Sequence, residues 1–407
     1  MRKEMKDSGI PWIGEIPSHW DTCFIKQVMR NKSVKGYPDE QVLSLYRDYG
    51  VVPKDSRDDN HNVTSEDTSG YKLVDVGDFV INKMKAWQGS MAVSGYRGII
   101  SPAYYICRFT APVHKRYIHY LLRNETYKAE YMRLSTGLRV GQWDLNVDDF
   151  LHIPMVLPPI PEQQSIADFL DKKCGEIDEM VSLQEKIVEE LKAYKQSVIT
   201  EAVCKGLNPD VPMKDSGIEW IGQIPEGWNK MRLKFLCTIQ TGNQDTQDAD
   251  DNGIYPFYVR SPHPERSNHF SFEGEGILMA GDGAGAGRVF HHVYGKYAVH
   301  QRVYRLANIS GVKSDYLFYF LSNLFNREMD RGSAQSTVPS VRLPMLQNFV
   351  ICIPTEAEQR AIADYLDSKC AEIDSLISLK QSKIDALKEY KKSIIYEYIT
   401  GKKEVNG

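Results

Sequence analysis

No stretch of this chain reaches the roughly 18 consecutive apolar residues that a membrane-spanning helix needs. The opening MRKEMKDSGI holds no apolar run of the kind a secretory signal carries, so a cytoplasmic protein is expected. Cysteine is scarce and scattered: Cys23, Cys107, Cys174, Cys204, Cys237, Cys352 and Cys370 are odd in number and contain no C-x-x-C pair. That pattern suits reduced, packed thiols and predicts neither disulfides nor a structural zinc site. A large excess of positive over negative residues is absent as well. A formal net charge of -4 counts against a protein whose whole surface grips nucleic acid without selectivity.

What is present is an ordinary globular composition, 42% hydrophobic and 26% charged, on a chain longer than one core usually supports. At 407 residues, two or more domains of roughly 100 to 200 residues are expected. Charge is distributed unevenly along them. Phe79 to Trp143 carries ten Lys or Arg against two Glu, interleaved with Trp87, Tyr96, Tyr104, Tyr105, Phe109, Tyr117, Tyr120, Tyr127 and Tyr131. The preceding stretch, Pro38 to Asp78, is acidic. Gly287 to Arg342 has eight basic residues against three acidic ones, again among aromatics. Each half therefore owns a basic, aromatic segment, although a charge cluster taken alone is more often solvated surface than a binding site.

An internal repeat is the strongest signal. MKDSGIPWIGEIPSHW, Met5 to Trp20, recurs as MKDSGIEWIGQIPEGW, Met213 to Trp228, with 12 of 16 positions identical at an offset of 208. EQQSIADFLDKKCGEID, Glu162 to Asp178, recurs as EQRAIADYLDSKCAEID, Glu358 to Asp374, at an offset of 196. The order is A-B-A-B, and the segments between, about 21 to 160 and 229 to 353, show no such match to each other.

Both B segments read as long helices. A 3.5-residue apolar spacing runs through Leu170, Cys174, Ile177, Val181, Val188, Leu191 and Val198. It repeats in register through Leu366, Cys370, Ile373, Ile377, Ile384, Leu387 and Ile394, which predicts a coiled-coil seam. Gln184 with Lys380, and Lys195 with Lys391, interrupt it at equivalent places, as register-setting positions do. Pro161 suits a first helical turn, Thr355 with Glu358 forms a T-x-x-E capping box, and Gly206 and Gly401 suit the exits. A compact domain usually has its termini close together, so the second helix should start near where the first ends, and the two seams can pair only antiparallel. The expected fold is α+β: two mixed α/β domains separated by two long helices in an antiparallel coiled coil, with a pseudo-two-fold internal repeat. The predicted boundaries are a first domain over 1–160, a helix over 161–206, a second domain over 207–354, a helix over 355–402 and a tail over 403–407. Trp12, Trp20, Trp220 and Trp228 are expected to pack each domain's leading segment against a helix end.

The G-I-x-W-I-G-x-I-P-x-x-W segment, the run I-P-M-V-L-P-P-I-P-E-Q-Q and the helix A-D-[FY]-L-D-x-K-C-x-E-I-D together resemble the specificity subunit of type I restriction-modification systems. The resemblance covers nearly the whole chain. It implies that each divergent domain is a target-recognition domain reading one half of a split site in double-stranded DNA. It also implies that the repeat helices set the gap and dock adenine-methyltransferase subunits, with motor-nuclease subunits joining the assembly. No cofactor is expected in this chain: S-adenosylmethionine, Mg and ATP are implied only for the partner subunits.

Within the divergent domains, GDFVINKMKAWQGS (Gly77 to Ser90) and GILMAGDGAGAGRVF (Gly276 to Phe290) each look like a buried strand opening into a polar or glycine-rich loop. STGLRVGQW and HQRVYRL also resemble stretches of the family. Arg and Lys pair with guanine edges, Gln and Asn with adenine. The candidate DNA-binding residues are therefore Lys83, Lys85, Gln88, Arg139, Gln142, Arg288, Gln301, Arg302 and Arg342. The glycine cluster at 281, 283, 285 and 287 fails the G-x-G-x-x-G pattern and reads as a mobile loop. His291 and His292 lack a metal-binding spacing.

Two other classes compete. A self-contained methyltransferase or nuclease would need an [ND]-P-P-[FY] motif or a metal-binding carboxylate cluster, and neither is found; Asn208-Pro209-Asp210 is the nearest string and fails. A coiled-coil scaffold binding only protein would keep the helices but would not require basic, aromatic, mutually divergent domains.

Overall fold

The structure, a computed structural model, describes residues 4–47, 49–56, 67–137, 143–332 and 339–405. The chain folds as two compact units, one of residues 1–184 with 382–407 and the other of residues 185–381. Both divisions fall inside long helices, Ile160–Lys205 and Glu356–Ile399, so each unit contains a stretch of each helix.

Each unit contains one copy of the leading repeat, folded as a hairpin. Met5–Asp7 pairs antiparallel with Glu15–Pro17, and Met213–Asp215 pairs with Gln223–Pro225 in the same register. In the first hairpin the loop is closed by Ser8 N–H donating to the carbonyl of Gly14, and in the second by Ser216 N–H donating to that of Gly222. Gly14 and Gly222 both have positive φ, which is why glycine stands at these places. The apolar positions of the motif turn inward: Ile10, Ile13, Ile16 and Trp20 are buried in the first unit, Ile221, Ile224 and Trp228 in the second.

The divergent segments build the same sheet. In the first unit the strand order is Met29–Lys32, Tyr104–Phe109, Phe79–Asn82, Met91–Val93; in the second it is Thr238–Thr241, Val303–Ala307, Gly276–Ala280, Phe290–Val293. Every neighbouring pair is antiparallel. The third strand in each order is the run FVIN or GILMA, and Gly276–Ala280 is buried along its whole length. Helices Lys115–Arg123 and Glu125–Leu134 cover the first sheet, and Ser314–Gly332 stands at the corresponding place in the second. The second unit also contains a four-stranded sheet in which Tyr255–Tyr258 runs parallel to Lys296–Val299.

The long helices pair antiparallel within each unit. In the first, Phe169 lies against Tyr398 with ring centroids 4.3 Å apart, and Asp178 takes Lys391 at 2.7 Å. In the second, Lys195 reaches Asp374 at 2.6 Å. Leu170, Cys174, Ile177, Val181, Ile384 and Ile394 are buried in the first unit, with Leu387 half-buried. Val188, Leu366, Cys370 and Ile373 are buried in the second, with Leu191, Val198 and Ile377 half-buried. Of the polar interruptions, Gln184 is buried and Lys380 half-buried. Lys195 and Lys391 are partly exposed and hold carboxylates of the facing helix. Half-exposed pairs of this kind contribute at most about 1 kcal/mol each, but they exist only in one register.

The helix starts explain why Glu-Gln is kept in both repeats. Gln163, 1% exposed, accepts from His114 N–H and donates to the carbonyl of Pro158. Gln359, 3% exposed, does the same with Lys313 and Pro354. The preceding glutamates accept from tryptophan indoles, Trp20 on Glu162 at 2.8 Å and Trp228 on Glu358 at 3.5 Å. Thr355 and Glu358 exchange the two bonds of a capping box. Gly206 and Gly401 follow the helices with φ of 77° and 70°.

Candidate nucleic-acid interface

In the first unit the third strand, Phe79–Asn82, passes directly into a short 3-10 helix, Lys83–Gln88. Asn82 caps it by accepting from Met84 N–H at 3.2 Å, and Gly89 ends it with φ 79°. Lys83 Nζ donates to Asp144 at 3.0 Å, and this bond is the main reason its ammonium titrates above the usual lysine range. The Lys83 carbonyl accepts from Leu145 N–H, and Trp87 meets Trp143 edge-on at 5.2 Å. Lys85 is exposed and Gln88 half-buried. Arg139 and Gln142 lie outside the described residues.

Beside this helix stands a lysine that the sequence reading passed over. Lys72 donates to the carbonyl of Tyr104 at 2.7 Å and lies over the ring of Tyr105 at 5.5 Å. Burial, then repulsion from Lys35 and Lys83, lowers its pKa. The signal was hidden because Lys72 sits in the acidic stretch before Phe79, while the fold carries it to the basic segment.

In the second unit the corresponding strand, Gly276–Ala280, opens into the glycine loop, and the loop is pinned rather than mobile as the sequence suggested. Gly281 N–H donates to the Arg302 carbonyl, Gly283 N–H to Pro339, and Gly287 N–H to Ala280, while the Gly281 carbonyl accepts from Val341. A Cβ at Gly285 would overlap the carbonyl of Arg260, and one at Gly281 would press on that of Arg302. Glycine is required here because backbone packs against backbone. These bonds bring the Arg288, Arg302 and Arg342 segments to one edge, with Gln301 beside them; all four residues are exposed.

Polar partners fix several of these side chains. Gln301 Nε2 donates to Asp245 at 2.6 Å, and Asp245, which also accepts from Thr246 N–H, is held below the usual carboxylate range chiefly by that backbone bond. Asp282 faces Arg260 at 3.1 Å and Arg302 at 3.7 Å. Arg260 was not among the sequence candidates, since only the parallel pairing of Tyr258 with Val299 brings it here. His291 is half-buried against the Ser261 carbonyl, and burial lowers its pKa. Among the described residues no group of His, Cys, Asp and Glu could hold a metal ion.

In the first unit the third strand of the common sheet leads into a turn bearing Lys83, Lys85 and Gln88; in the second it leads into the glycine loop, beside which other strand ends set Arg260, Gln301 and Arg302. Such a set recognises anionic backbones and base edges.

Comparisons with known proteins agree in one direction. The sequence profile of the type I restriction modification DNA specificity domain matches residues 17–196 and 225–389. The EcoDI specificity subunit of Escherichia coli is 26% identical over 174 residues, a match covering 43% of this chain and 38% of that one. The MjaVIII specificity subunit of Methanocaldococcus jannaschii is 24% identical over 427 residues, covering 95% of this chain and 93% of that one. Among solved structures, a chain from a study of complex assembly and conformational transition of the type I R-M system superposes with a TM-score of 0.72 at 15% identity, covering 94% of this chain and 98% of that one. The HsdS subunit from Thermoanaerobacter tengcongensis gives 0.50 at 15% identity, covering 95% and 98%. At that identity the structural likeness concerns the fold.

Proposed function

We propose, because the chain belongs to the type I restriction modification DNA specificity family, that its two divergent domains each read one half of a bipartite, gapped sequence in double-stranded DNA. The observation that carries this reading is the repeated sheet, at whose third-strand end cations and a side-chain amide gather in each unit, Lys83, Lys85 and Gln88 in the first and Arg260, Gln301 and Arg302 in the second. A shared scaffold with different loop side chains is suited to reading different sequences, because binding residues sit on loops and base edges are read by side chains. The paired long helices are the spacer that sets the unread gap, and their outer faces dock adenine-methyltransferase subunits. Motor-nuclease subunits complete the assembly. The chain itself is a non-catalytic recognition subunit working in the cytoplasm, with S-adenosylmethionine, Mg and ATP belonging to its partners. No helix among the described residues is long and apolar enough to cross a membrane.

A domain exchange tests this. Residues 21–160 are replaced by the matching domain of a relative, and methylated adenine is mapped across the genome of cells carrying the exchanged chain with its methyltransferase partners. One half of the methylated motif should change and the other stay as it was. A change in both halves, or in neither, would refute independent reading.

A further inference from the structure

Arg260 and Arg302 come together through strand register. The parallel pair Tyr258–Val299 sets the residues after each strand side by side, and His300 N–H donates to the Tyr258 carbonyl at 3.0 Å. The antiparallel pair Ala280–Val303 brings Asp282 to the same place from the other side. Asp282 then takes Arg260 Nη1 on one carboxylate oxygen at 3.1 Å and faces Arg302 Nη1 with the other at 3.7 Å.

The arrangement is asymmetric in exposure. The Asp282 side chain is 22% exposed, those of Arg260 and Arg302 46% and 64%. The carboxylate therefore sits behind and the guanidinium groups in front. A guanidinium has five N–H donors in a planar fork, so one contact with Asp282 orients the group and leaves donors for a second partner. The loop behind is fixed by the close backbone approach at Gly285 and Gly281 and by the bonds to Pro339 and Val341. Flexible surface arginines lose side-chain entropy when they bind; Arg260, hydrogen-bonded to Asp282 on a fixed turn, loses less, and Arg302 faces the same carboxylate at ion-pair range. Asp282 carries one negative charge against the two guanidinium groups of Arg260 and Arg302, so this trio keeps a net positive charge that attracts an anionic polymer.

We propose that Asp282 holds Arg260 and Arg302 as a paired reader of guanine, in the half-site taken by the second domain. The inference rests on the DNA-reading role proposed above and deepens it by naming base and residues. Arginine offers two parallel N–H groups that match O6 and N7 of guanine in the major groove. Asp282 acts through the arginines as a positioning residue and makes no base contact itself.

The test uses the full chain with its methyltransferase partners in cells free of other adenine methylation, with methylated adenine mapped genome-wide. Wild type is compared with Arg260→Ala, Arg302→Ala, Arg302→Lys and Asp282→Asn, each checked for unchanged thermal unfolding. The alanine variants should relax a guanine in one half of the motif, with discrimination there falling about tenfold or more, while the other half is unchanged. Arg302→Lys should relax the same position, because lysine keeps the charge but not the fork. Asp282→Asn should give an intermediate relaxation. The proposal is overturned if the variants keep the wild-type motif, if methylation weakens evenly over all sequences as phosphate contacts would have it, or if Arg302→Lys behaves as wild type. A wild-type chain that directs no two-part motif would remove the DNA-reading role itself. A normal motif indifferent to all four substitutions removes only the arginine pair.

Discussion

The hydroxyl of Tyr117 donates across 3.0 Å to the carbonyl of Ile399, joining the helix that covers the first sheet to the last residue of the second long helix. The same hydroxyl lies 3.4 Å from the Val156 carbonyl, and the ring is fully buried. In the second unit Tyr316 repeats the bond pattern with the carbonyls of Val203 and Cys352, at 3.1 and 2.7 Å. Removing such a donor leaves carbonyls unsatisfied in the interior, which costs roughly 1 to 3 kcal/mol. Tyr117→Phe should therefore lower the urea midpoint of unfolding without altering which sequence is methylated. A variant as stable as wild type would show that the hydroxyl is not needed to fasten the helix.

Gly242 lies so close to the second-unit strand ends that a Cβ there would overlap the carbonyls of Val299 and His300. Its φ is not in the left-handed region, so the constraint is space alone. Gly242→Ala should cost about 1 to 3 kcal/mol through forced backbone movement. Because it displaces the turn that carries Gln301 and Arg302, it should also weaken methylation. A thermal melt and a methylation assay on the same preparation check both effects.

Asp75 accepts from Lys32 at 2.8 Å and Arg108 at 2.7 Å and is paired with Arg97 as well. The Lys32 bond is the largest of the causes that hold its carboxyl below the usual aspartate value. A carboxylate whose pKa is depressed on folding adds stability above its unfolded pKa, and that stability is lost as pH falls through the folded value. Asp75→Asn should thus destabilise the protein at pH 7, and the gap from wild type should close below roughly pH 4. Urea titrations across that range measure it; a gap independent of pH would assign the effect to packing.

The spacer role proposed for the long helices makes its own prediction. Four residues inserted into helix Ile160–Lys205, with four in helix Glu356–Ile399 to keep the seams facing, add about 6 Å of helix. That is under two base pairs at roughly 3.4 Å each. The methylated motif should keep both half-sequences and gain one or two positions between them, read by mapping methylated adenine. An unchanged gap would eliminate the helices as the ruler.

Much of the architecture was legible in the residues because it rests on local periodicity and on repetition. The heptad positions from Leu170 to Val198 and from Leu366 to Ile394 identify both helices before any coordinate is known, and most of those side chains are buried. The Thr355–Glu358 cap and the glycine exits are equally local. The shared four-stranded sheet was not legible: the divergent segments keep strand order without keeping side chains, and a sheet is specified by pairings between residues far apart in sequence. The same reason accounts for Lys72 and Arg260, whose neighbours in sequence are not their neighbours in space. The glycine loop misled for a related cause. Glycine reads as freedom when its surroundings are unknown, and as close packing once the carbonyls of Arg260 and Arg302 are placed beside it.

By itself the amino-acid order determined that there are two modules, two rods and a duplicated joint, because repeats and helical spacing are properties of a one-dimensional string. Only the tertiary structure decided which cations share an edge, that Asp282 stands behind Arg260 and Arg302, and that a loop of glycines is held fast. Those features depend on strand register between distant segments, where one residue of slip would turn each side chain to the opposite face.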